Sequence, residues 1–130
     1  MILVFGQSGQ VARALSRDKD VVTLSRRQAD LSDPEACGQA IRQHRPVGVI
    51  NAAAWTAVDA AEEQEAAARV VNADAPAAMA TACAALDIPF VHISTDYVFP
   101  GDGDRAWHRD DVCAPLQAYG RTKRAGELAV

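Results

Sequence analysis

The stretch VFGQSGQVA, residues 4–12, decides the fold. Ile2–Phe5 is a short apolar run that reads as a buried strand, and Gly9–Arg17 reads as a helix, so Gly6 and Gly9 stand in the turn between them. Small residues there let the backbone approach a pyrophosphate, and the N-terminus of the helix favours its negative charge. The third small position is Ala12, giving Gly-x-x-Gly-x-x-Ala rather than Gly-x-Gly-x-x-Gly. A glycine pair can also serve the turn alone; the strand-turn-helix context is what favours the phosphate reading.

Similar apolar runs, rich in β-branched residues, recur at Val21–Leu24, Val47–Ile50 and Phe90–Ile93. Helical stretches separate them. Pro34 after Ser32 and Asp33 marks the first turn of a second helix with a polar cap before it. Ala60–Leu86 is long and alanine-rich and reads as two helices broken near Asn72–Pro76. Strands alternating with helices predict an α/β fold, a Rossmann-like, doubly wound parallel sheet buried on both faces. The expected order of the first four strands is 3-2-1-4, which puts the ligand-binding switch point between the first strand and the fourth. The loops leaving it would be Gly6–Gly9 and the segment from Ser94 onward. Residues 96–118 show no periodicity, only Gly, Pro and Asp around Trp107.

The size is that of one domain: 130 residues, 49% hydrophobic. A net charge of -4 with scattered basic residues predicts neither a nucleic-acid nor a membrane partner. Cys37, Cys83 and Cys113 lie far apart without metal-ligand spacing, and their odd number closes no disulfide framework. No metal site is expected. The first residues lack a basic segment before a long apolar run, and no stretch approaches the ~18 apolar residues of a membrane span. A cytoplasmic protein is the expectation.

Four further features carry chemistry. After the second strand the chain reads TLSRRQADL, with no carboxylate where one would bond a ribose 2′-hydroxyl; Ser25, Arg26 and Arg27 could instead meet a 2′-phosphate, or the arginines could simply decorate a surface loop. VHISTDYVF closes the fourth strand with hydroxyls, a carboxylate and a phenol, while His92 within it reads as a core residue. The Gly101–Asp104 stretch GDGD reads as a turn, since it lacks the rest of a calcium loop. AYGRTKRAGE holds Tyr119 and Lys123 four apart, one helical turn above each other. Tyr119, Lys123 and Thr95 together suggest carbonyl reduction, in which the phenol protonates a developing alkoxide, the ammonium favours the phenolate, and the threonine hydroxyl fixes the carbonyl oxygen.

GQSGQVA, DLSDP, VINAAAWTAVDAAE, VNADAP, VHISTDYVFPG and YGRTKRAGE, in this order, resemble the extended short-chain dehydrogenase/reductase family over essentially the whole chain, and within it the group that reduces a dTDP-linked 6-deoxyhexulose. The resemblance implies that Gly6, Gln7, Ser8, Gly9, Gln10 and Val11 wrap the pyrophosphate of NADPH, or of NADH as the less favoured cofactor. It implies that Ser25 and Arg26 meet the adenosine ribose, that Asp30 and Leu31 flank the adenine, and that Ala54, Trp55 and Thr56 line the cofactor. Tyr119 would be the proton donor, Lys123 would hold the nicotinamide ribose, and Thr95 and Asp96 would contact the sugar. The implied reaction reduces the C4 ketone of dTDP-4-dehydrorhamnose to dTDP-L-rhamnose. Members usually carry a glutamate in the segment after GDGD, and this chain has Arg109 near that place, followed by Asp110 and Asp111.

Members are about twice this long, so residues 1–130 would be the NAD(P)-binding Rossmann domain only, cut before the later strands and the substrate-binding domain. A parallel sheet ending at its fourth strand would leave an apolar edge, which predicts marginal stability or a homo-oligomer. Two other readings stay open: a sibling epimerase or dehydratase acting on another nucleotide-linked sugar, and a non-catalytic dinucleotide-binding module.

Overall fold

The computed structural model describes residues 1–130. In chain order the elements are β1 (Ile2–Phe5), α1 (Gln10–Leu15), β2 (Val21–Leu24), α2 (Pro34–His44), β3 (Gly48–Asn51), α3 (Val58–Glu63), α4 (Glu65–Arg69), α5 (Ala75–Ala85), β4 (Phe90–His92) and α6 (Ala118–Leu128). A π-helical turn, Val70–Asp74, joins α4 to α5, and a 3-10 turn, Asp96–Val98, follows β4. The α/β reading and the four strands hold. The first helix is shorter than Gly9–Arg17, because Arg17 and Asp18 turn back on Ala14 and Leu15 through three-residue bonds. The second begins as expected, with the Asp33 carboxylate accepting from Ala36 N–H ahead of Pro34.

All pairings are parallel, but the order is β2-β1-β3-β4, which corrects the expected 3-2-1-4. The chain steps from β1 to β2 and then back across to the other side of β1, instead of laying two strands outward before returning. Ile2 therefore pairs with both Val21 and Gly48. The reversal falls between β1 and β3, so the loops leaving the switch point are Gly6–Gly9 and Ala52–Ala57, and the segment from Ser94 leaves the next strand out. Right-handed crossovers running in opposite directions put their helices on opposite faces, α1 on one and α2 and α5 on the other.

The main core lies under α2 and α5. Leu3, Phe5, Leu24 and Val49 meet Cys37, Ile41, Met79 and Cys83, all buried. Burying such side chains gives about 1.5–3 kcal/mol each before conformational entropy is subtracted. The sheet is not buried on both faces throughout: Val22 in β2 and Val91 in β4 are exposed, because these strands are the two edges and fewer helices reach their outer side.

Ala60–Leu86 is not two helices with a break near Asn72. It is α3, an interruption at Gln64, and then a run through α4 and α5 in which the π-helical turn inserts an extra residue without stopping the helix. The bulge carries Asn72 and presses its carbonyl against α6. A methyl group placed on Gly126 would lie 2.1 Å from Asn72 O and 3.2 Å from His92 Nε2. That contact outweighs the ~1 kcal/mol of helix propensity that alanine gains over glycine. Gly126→Ala is therefore expected to lower the unfolding free energy by about 2 kcal/mol, read as the shift in urea midpoint; a neutral or stabilised variant would contradict the packing described.

Candidate active site

One cleft of about 850 Å³ opens at the switch point. Its floor is the β1–α1 turn, where Gly6 has φ +105°, a conformation that L side chains rarely adopt, and where a Cβ would sit 3.3 Å from Ala52 O. The β1 and β3 loops touch here, and no side chain fits between them. Gln7, Ser8 and Gly9 lie exposed on the cleft wall, with open backbone at the start of α1.

The cleft is lined by every residue assigned to a cofactor from sequence: Gly6–Val11, Ser25, Arg26, Asp30, Leu31, Ala54, Trp55, Thr56, Tyr119 and Lys123. Thr95 and Asp96 are not in the lining. The Thr95 hydroxyl accepts from Tyr97 N–H at 3.3 Å and caps the 3-10 turn, while Asp96 is exposed. Arg109 lies far out on the 101–117 segment and pairs with its neighbour Asp110.

The second loop of the switch point is held by two asparagines whose roles the sequence alone did not reveal. Asn72 is buried in the π-helical turn. Its Oδ1 accepts from Trp55 N–H at 2.8 Å; its Nδ2 donates to Trp55 O and to Thr122 Oγ1, each at 3.1 Å. Thr122 in turn donates to Tyr119 O at 2.9 Å. A continuous line of hydrogen bonds thus runs from the cleft loop to the tyrosine's own backbone. Every hydrogen-bonding position of the Asn72 amide that faces this network is used, as a buried amide requires. Asn51, at the end of β3, accepts from Ala53 N–H with Oδ1 at 3.1 Å and places Nδ2 3.2 Å from His92 Nδ1.

Tyr119 and Lys123 share one face of α6, as their spacing requires. The N-terminus of α6 takes its cap from another helix: the Glu62 carboxylate accepts from Ala118 N–H at 2.7 Å. Arg121 forks onto Glu65 with two 2.8 Å bonds, tying α6 to α4. The Tyr119 ring stands edge-on to Tyr97 at 5.4 Å and packs with Trp55 on the alanines of α3, α4 and α6. Lys123 is 2% exposed, and its Nζ donates to Ile93 O at 2.5 Å. Burial lowers its pKa, and the Glu127 carboxylate pulls it back up.

Signals for the missed asparagines existed. Asn72 is the one asparagine of the alanine-rich stretch, where it is a poor helix former and therefore needs another reason to be there. Asn51 ends a strand that borders the switch point once the strand order is known.

Because Asn51 directs its amide nitrogen at His92 Nδ1, that atom accepts, and the neutral ring carries its proton on Nε2, which has no partner. Burial pushes the His92 pKa down to about 4, helped by the Lys123 charge and opposed by Glu127. Between the ordinary 6.5 and about 4 the unfolded histidine is protonated and the folded one is not, so folding loses stability as pH falls through this window. Replacing His92 by Gln removes that loss. The stability of wild type relative to His92→Gln is expected to fall by up to about 3 kcal/mol between neutral pH and pH ~4 in denaturant titrations. A pH-independent difference would contradict the buried neutral histidine.

The family described as RmlD substrate binding domain matches residues 1–130. The chain is 47% identical to a dTDP-4-dehydrorhamnose reductase of Burkholderia thailandensis, over 99% of this chain and 45% of that protein. It is 45% identical, over 98% of this chain and 45% of the other, to a Streptomyces antibioticus protein described as a probable dTDP-4,6-dihydroxy-2-methyloxan-3-one 4-ketoreductase. The crystal structure of a dTDP-4-dehydrorhamnose reductase from Bacillus anthracis, in complex with NADP, superposes with a TM-score of 0.92 at 31% identity, over 98% of this chain and 47% of that one. The chain spans about half the length of the relatives it matches.

Proposed function

We propose that this chain, which belongs to the RmlD substrate binding domain family, carries the cofactor-binding and proton-donating part of an NADPH-dependent reductase of a dTDP-linked 4-keto-6-deoxysugar. Residues 1–130 would form its NAD(P)-binding domain, with dTDP-4-dehydrorhamnose as substrate and dTDP-L-rhamnose as product. The observation that carries the reading is that one cleft contains both the Gly6–Val11 turn and the Tyr119/Lys123 pair.

The residues fit a dinucleotide. The close approach at Gly6 leaves the β1–α1 turn without side-chain bulk, and the open N–H groups at the start of α1 suit a pyrophosphate. A bound nicotinamide would supply the hydride. The phenol of Tyr119 gives its proton to the substrate oxygen as negative charge develops there, and the buried Lys123 ammonium keeps the resulting phenolate favourable. Lys123 is fixed for this by Ile93 O, and it is the group that would hold the nicotinamide ribose. Thr95 would reach the sugar carbonyl by turning the O–H it now donates to Asp96 Oδ1, at 3.4 Å, toward the substrate oxygen, while its own oxygen goes on accepting from Tyr97 N–H.

The ketone-bearing sugar of the Streptomyces antibioticus relative supports a second reading, in which the same chemistry acts on another dTDP-linked 4-ketosugar. The buried thiols of Cys37 and Cys83, each with a pKa raised by burial, suit a reducing cytoplasm. Exposed Val91 on the edge strand favours a partner surface there, in a homo-oligomer or in the rest of a longer chain.

The test is turnover in a full-length protein carrying residues 1–130. Tyr119→Phe is expected to lower kcat for NADPH-dependent reduction of dTDP-4-dehydrorhamnose by about 10²–10⁴ while leaving NADPH affinity within about threefold. Unchanged kcat would remove Tyr119 as the acid, and absence of reduction by the wild-type protein would remove the substrate.

A further inference from the structure

The loop after β2 already satisfies the groups that a 2′-phosphate would need. Ser25 N–H and Ser25 Oγ–H both donate to Gln28 Oε1, at 3.0 and 2.7 Å. Arg26 Nε donates to Asp30 Oδ2 at 3.0 Å, four residues on across the turn, and Asp30 accepts with its other oxygen from Ser32 N–H at 2.9 Å. Ser25, Arg26 and Asp30 all line the cleft. A carboxylate thus takes the Nε–H of the only guanidinium in the cleft lining.

We propose that Asp30 tempers cofactor choice through Arg26: its carboxylate competes for the guanidinium from the Nε–H side, so that NADPH must share Arg26 with it or turn the side chain away, whereas NADH need do neither. This rests on the dinucleotide reading above. The 2′-phosphate is an anion that a guanidinium binds through paired N–H···O bonds, and the carboxylate is the same kind of acceptor already in place. The competition is an even one, because Arg26 is 82% and Asp30 38% exposed at the side chain, and solvated ion pairs of this kind are weak. The device therefore tempers the preference for NADPH without abolishing it, and leaves NADH usable.

Asp30→Asn isolates the effect. The amide oxygen still accepts from Ser32 N–H, so the turn is kept, while the charge that holds Arg26 is gone. Any contact of residue 30 with adenine is common to both cofactors and cancels in their ratio. Titrations with NADPH and NADH, following nicotinamide fluorescence, give that ratio for wild type, Asp30→Asn, Arg26→Ala and the double variant.

The expected result is a rise of about threefold in the NADPH preference of Asp30→Asn over wild type, and no rise when Arg26 is already alanine. An equal rise in the Arg26→Ala background would overturn the proposal, because the carboxylate would then be repelling the phosphate directly. No rise in either background would overturn it as well. Failure of wild type to bind either cofactor saturably would instead overturn the dinucleotide reading, and the proposal with it.

Discussion

The buried side chain of Asn72 is the constraint on which the site depends. A primary amide at 1% exposure must find its partners inside the protein, and those it finds are Trp55 on the cleft loop and Thr122 on α6. Meeting both requires the amide to sit where an unbroken α-helix between α4 and α5 would not put it, and the π-helical turn makes the adjustment. The same turn brings Asn72 O so close to α6 that only glycine fits at 126. Local backbone irregularity, loop position and helix approach are thus one arrangement seen from three sides. Tyr119 inherits its place from it, since Thr122 receives the Asn72 bond and passes one to the Tyr119 carbonyl.

Electrostatics follow from this packing. Bringing α6 against β4 buries Lys123, and an ammonium out of water needs an acceptor, which Ile93 O supplies at the end of the strand. It also buries His92 beside that charge, and burial, helped by the ammonium, keeps the ring neutral and leaves Lys123 without a second buried cation beside it. At the far end of the cleft the charges are solvated, and the Arg26–Asp30 pair there is correspondingly soft. The buried end of the cleft carries Tyr119 and Lys123, the pair proposed for proton transfer, and the solvated end carries Arg26 and Asp30, proposed to meet the cofactor phosphate.

Much of this was legible in the sequence, and what was not has physical causes. The strand-turn-helix at Gly6–Gly9 and the Asp33-Pro34 helix start are local, so their residues announced them. The pairing of Tyr119 with Lys123 depends only on helical spacing, and it held. Strand order does not: it depends on which way the chain steps after β2, a choice made by the whole sheet, and β3 took the place expected of the fourth strand. The π-helical turn escaped because the proline at 76 reads as the break that the tertiary contacts of Asn72 convert into a bulge. Thr95 stands outside the cleft lining because it follows β4, one strand beyond the switch point, where its oxygen caps the 3-10 turn and its O–H is left to donate. The residues assigned to a cofactor come together in one cleft whereas Thr95 and Asp96 do not, because a strand-turn-helix is built from local backbone whereas the surroundings of residues 95 and 96 are assembled from distant segments.

The proposal that rests most directly on this geometry is that the cleft between the β1 and β3 loops is a preformed dinucleotide site. The amide spectrum of the isotopically labelled chain, followed as NADPH is added, tests it. Saturable shifts concentrated at Gly6–Val11 and Ala52–Thr56 are expected, with the turn after α1 around Arg17 unmoved. A folded chain whose spectrum does not change, or changes only outside those two loops, would contradict it.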